Sequence, residues 1–186
     1  MCIYITIVLP ASANLPGVKA LAEAAGLGFG PYRNPNLEGQ LQPGELLIRA
    51  TLGHCDCDTP LARLATERET KRGTNRTTID EQPVRPARKG WGAAKLARWA
   101  EQKRAAADRD EHGVLADERL DRWLTFLCGA LSIKGVTFVG LLVHAINHGL
   151  EDSPCPLAGR QSLPISTIDR DKLTRLAQHV LYVFHR

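Results

Sequence analysis

The chain has 186 residues, 44% of them hydrophobic and 24% charged, with a formal net charge of +4. That length suits one domain able to bury roughly 70% of the surface its unfolded form exposes. No apolar run approaches the roughly 20 residues that span a bilayer, and so mild a net charge says less than its distribution.

Ile3, Ile5, Ile7 and Leu9 alternate with Cys2, Tyr4, Thr6 and Val8, and both sets are largely apolar. That pattern predicts a strand covered on both faces. Residues 1–13 imitate a secretion signal but lack its positive start, and they are shorter than the roughly 15–30 residues such signals need. The expectation is a strand in a cytoplasmic protein. Asn14 can cap a helix with Pro16 in its first turn, and Leu15, Val18, Ala22 and Ala25 recur at helical spacing up to Gly26. Residues 28–44 are rich in Gly, Pro and Asn and read as loop.

Residues 46–52 predict a second strand, with Leu46, Ile48, Ala50 and Leu52 on one face and Leu47, Arg49 and Thr51 on the other. Residues 69–90 have few apolar positions and read as an exposed basic loop. A helix is expected over 91–107. A stronger amphipathic helix comes next through Leu120, Trp123, Leu124, Leu127 and Leu131, ending at Gly135, with Cys128 as a small core residue. Residues 136–143 are apolar on both faces and predict a central strand. Residues 162–168 predict a short strand kept at an edge by Pro164. A last helix is expected with Leu173, Leu176, Val180 and Phe184 inward.

Helices between strands favour parallel neighbours. The expected fold is therefore one α/β domain over 1–186, a small, mainly parallel three- to four-stranded sheet covered by helices. Its core is expected to hold Ile5, Ile7, Leu9, Leu124, Leu127, Phe138, Leu142, Leu176 and Val180.

His54-Cys55-Asp56-Cys57-Asp58 packs two thiols, one imidazole and two carboxylates into five residues. It comes directly after the second strand. In a parallel sheet it shares the carboxyl edge with His144, Asn147, His148, Glu151 and Asp152, where open α/β sheets bind ligands. Two thiolates and imidazoles suit zinc, so Cys55, Cys57, His144 and His148 are a candidate ligand set. One residue between cysteines is a tighter spacing than structural zinc sites use. Thiol catalysis is the other chemistry, with Cys57 as nucleophile and His54 beside it. Asp56 and Asp58 oppose it, because negative charge raises a thiol pKa. Parallel strands would leave Cys2 about 20 Å from the end of its own strand, away from this edge.

From Arg63 to Arg104 there are twelve Lys and Arg against five Asp and Glu. From Asp108 to Arg122 there are six acidic residues against three Arg. Lys71, Arg72, Arg76, Arg85, Arg88, Lys89, Lys95 and Arg98 are candidates for contacting an acidic protein partner. With Lys103, Arg104, Trp91 and Trp99 they also fit nucleic acid, though no nucleic-acid-binding signature accompanies them. Phosphate-loop, nucleophile-elbow and His-Glu-x-x-His motifs are absent. The sequence therefore favours a small cytosolic binding protein without a cofactor, in a neutralising, immunity-like or adaptor role. The alternative is a zinc- or thiol-dependent enzyme.

Overall fold

The computed structural model describes residues 2–57, 59–66, 112–146 and 154–186. The expected basic loop and the helix over 91–107 lie outside them. In chain order the elements are β1 (Cys2–Pro10), α1 (Leu15–Ala24), β2 (Gly30–Pro31), α2 (Pro35–Glu38), β3 (Glu45–Arg49), α3 (60–66), α4 (His112–Ala130), β4 (Phe138–Ile146), β5 (Gly159–Pro164), α5 (Arg170–Leu173) and β6 (Val180–His185). No helix among the described residues is long and apolar enough to cross a membrane.

One six-stranded sheet has the order β2-β3-β1-β4-β6-β5. Every neighbouring pair is antiparallel except β5 and β6. This corrects the expected small, mainly parallel sheet. The physical reason lies in residues 28–44, read as loop: Gly30 and Pro31 pair with Ile48 and Arg49. That two-residue strand adds one pass across the sheet after α1 and reverses the direction of β3. A second correction concerns the carboxyl end, where the expected last helix splits. Asp169 caps the short α5 by accepting from Lys172 N, and the run from Val180 to His185 becomes β6. Leu173 and Leu176 have helical spacing, but β-branched and aromatic residues dominate from Val180 onward.

The alternation in β1 is used on both faces, and Ile3 to Pro10 are all buried. Ile3, Ile5, Ile7 and Leu9 pack with Val18 and Ala22 of α1 and Trp123, Phe126 and Leu127 of α4. Trp123 and Phe126 meet edge to face, with ring centroids 6.1 Å apart. Val8 faces the other way, with Tyr32, Leu37, Leu47, Leu142, Leu181 and Val183. That face is crossed by residues 154–158. Gln40 reads their backbone in both directions: its Nε2 donates to Cys155 O at 3.0 Å, and its Oε1 accepts from Leu157 N at 2.7 Å. Arg160 of β5 reaches back to Glu45 of β3 with two bonds of 2.5 and 3.0 Å. Of the expected core, Leu124, Phe138 and Val180 are only half-buried. Cys128 is exposed on α4 rather than in the core.

The turn from α4 into β4 depends on Gly135, whose φ is +81° and whose carbonyl accepts from Ser12 Oγ at 2.7 Å. A Cβ there would stand 2.0 Å from Ser12 O. Gly135→Ala is expected to cost about 2–4 kcal/mol in urea unfolding, combining left-handed strain with a backbone clash. Gly159→Ala, where a Cβ meets nothing within 4 Å, is the matched control.

Candidate functional site

Because β3 and β4 both run antiparallel to β1, their carboxyl ends lie at the edge where β1 starts. The β1–β3 ladder stops at Thr6 and Arg49, and Ala50 N still donates to Ile5 O at 3.1 Å. Residues 51–55 then leave the sheet. Three buried backbone groups of β1 need partners below that point, and residues 56 and 57 supply them. Asp56 N donates to Ile3 O at 2.8 Å. Asp56 Oδ2 accepts from Ile5 N at 2.7 Å and from Thr51 Oγ1 at 2.5 Å. Cys57 Sγ accepts from Ile3 N at 3.2 Å. Thr59 then caps α3, its Oγ1 accepting from Ala62 N at 3.4 Å.

This docking folds Cys55 and Cys57 against Cys2. The three sulfurs lie within 4.8 Å of one another, and each cysteine is half-buried. A parallel sheet would have put Cys2 at the opposite end. Its signal was available: an antiparallel β3 brings the start of β1 beside the end of β3. Burial pushes the Cys57 thiol up, the neighbouring Cys55 adds to this, and the Ile3 N–H opposes it. That direction is opposite to the activation a nucleophile requires. Burial likewise raises the Asp56 carboxyl, against its bonds from Thr51 and Ile5 and the charge of Arg49.

His144 stands elsewhere. It is fully buried opposite Tyr4 in the β1–β4 ladder. Its Nε2 is 2.8 Å from Thr6 Oγ1 and its Nδ1 is 3.4 Å from Cys155 Sγ. His179 Nδ1 lies 3.9 Å from the same sulfur, and His179 adopts φ +61°. The Tyr4 and Tyr32 rings sit 6.2 and 6.1 Å from the His144 ring. Burial, with a smaller contribution from His179, lowers the His144 pKa to about 3, and burial raises Cys155 to about 11. Both groups are therefore neutral near pH 7, so this is not a thiolate–imidazolium pair. The Tyr4 phenol is raised first by burial, then by Cys2, Cys55 and Cys57.

The structure thus brings Cys55 and Cys57 together with Cys2, and it assigns His144 to a separate buried group. His54 is exposed. His148 lies outside the described residues, as do Lys71, Arg72, Arg76, Arg85, Arg88, Lys89, Lys95 and Arg98. No known protein-family model matches the chain, and no curated protein or solved structure gives a significant match.

Above pH 6.5 His144 is neutral in the folded and unfolded chain alike. Between 6.5 and about 3 the unfolded chain takes up a proton that folded His144 refuses. The stability is full above that window and is lost as pH falls through it, by at most about 1.4 kcal/mol per pH unit. Urea unfolding between about pH 7 and pH 4 is expected to show a flatter stability profile for His144→Asn than for the unsubstituted protein.

Proposed function

We propose that the protein binds a soft metal ion through Cys2, Cys55 and Cys57. The observation that carries this reading is the approach of three sulfurs to within 4.8 Å of one another. Sulfurs sharing one ion at a bond length of about 2.3 Å lie roughly 4 Å apart, so small side-chain rotations close the site. Thiolates favour zinc, copper(I) and iron over magnesium, calcium and manganese. Burial holds a proton on Cys57, which an incoming cation must displace while supplying the compensating charge.

Protein incubated with zinc and then desalted is expected to retain about one equivalent by elemental analysis. Cys57→Ser is expected to reduce this to less than about a tenth. Affinity is expected to rise from about pH 6 to pH 8, because binding releases thiol protons. Retention below about a tenth of an equivalent of both zinc and copper(I) by the unsubstituted protein sinks the reading.

The charge pattern supports a second reading, in which the basic residues between Lys71 and Arg98 engage an acidic protein partner. A partner recovered from cell extract at low salt and released at high salt is the expected result. Capture that is insensitive to salt, or no capture, removes that reading.

A further inference from the structure

The sulfur inventory of the chain narrows the ion. It has five cysteines. Cys155 is 1% exposed, with its sulfur against His144 and His179 rather than in the cluster. Cys128 is exposed on α4, and the sulfur cluster comprises Cys2, Cys55 and Cys57. Thiolate coordination is therefore capped at three. Among the described residues, Asp56 stands between two ligands but has its Oδ2 held by Ile5 N and Thr51 Oγ1. Releasing it would expose the unpaired backbone of a buried strand.

We infer that Cys2, Cys55 and Cys57 form a three-coordinate, all-sulfur centre for copper(I), an inference that rests on the metal-binding reading above. Zinc in structural sites takes four ligands in a tetrahedron, and the cluster among the described residues supplies three. Copper(I) is a soft first-row ion that thiolates select, and its single positive charge is readily satisfied by three sulfurs. Ile3 N–H, at 3.2 Å from Cys57 Sγ, is an outer-shell donor that orients that sulfur and tempers its charge. All three ligands are half-buried rather than enclosed in the core.

The test uses the whole chain without oxygen. One equivalent of copper(I), supplied as its glutathione complex, is added, and X-ray absorption counts the neighbours of the metal. Three sulfurs at about 2.3 Å, with no nitrogen or oxygen, are expected. A tenfold excess of zinc is expected to leave the copper in place. A nitrogen or oxygen neighbour, or displacement by zinc, overturns the copper(I) assignment while leaving metal binding intact. Retention of neither ion above the level of Cys55→Ser overturns both. Cys55→Ser is the chosen variant because the bonds to β1 come from residues 56 and 57. Far-UV circular dichroism identical to that of the unsubstituted protein is expected. If Cys55→Ser unfolds, copper(I) loading of protein whose thiols are blocked by N-ethylmaleimide gives the same comparison.

Discussion

Strand β1 runs through the middle of the sheet with both faces covered, so every backbone amide along it must find a partner inside the protein. On the β4 side the ladder from Cys2 to Val8 does this without interruption. On the β3 side the neighbouring strand is too short, and the deficit falls at Ile3 and Ile5. A carboxylate and a thiol fill it. An aspartate inside a sheet costs desolvation, visible in the raised Asp56 carboxyl. Its three bonds, to Ile3 O through its own amide and from Ile5 N and Thr51 Oγ1 to its carboxylate, offset that cost. The thiol cluster is a by-product of this repair. Once Asp56 is fixed on β1, the residues on either side of it must lie beside the start of the same strand.

The His144 group obeys a different logic. There the polar atoms satisfy one another in a closed run from Thr6 through His144 to Cys155 and His179, walled by two tyrosines. Uncharged members suit such a place, since a single buried charge would need a partner that the run does not offer. The two thiol environments of one chain thus differ: three half-buried sulfurs gathered at the start of β1, and one buried sulfur kept neutral by its surroundings.

Much of the core was legible in the amino-acid order. The doubly apolar runs of β1 and β4, the stripe from Leu120 to Leu131 and the punctuation at Asn14, Gly26 and Gly135 all map onto elements or their ends. Direction was not legible. It turned on Gly30 and Pro31, a pairing two residues long that carries no hydrophobic period, and strand polarity downstream inherited that choice. The site suffered in consequence. Residues 54–58 were conspicuous by composition, but their third thiol partner is some fifty positions away, and only the antiparallel register brings it near. His144 was legible as a strand-end residue and illegible as a buried one. Its neighbours Cys155 and His179 belong to segments without periodic signal.

The β1–β4 ladder joins residues that are far apart in the chain; Thr6 and His144 are 138 positions apart. During synthesis at about 5–20 residues per second, β1 waits roughly 7–28 s for its central partner to be made. Throughout that interval an apolar strand with free amides is the kind of surface that recruits other chains. The pairing available sooner is with β3 and the turn ending at Cys57, which covers one side of β1 and leaves the other bare. Contacts of such long range also place this fold among the slower ones of its size. Its early life therefore favours low concentration, or a chaperone that occupies the β4 side of β1 until residue 146 has emerged.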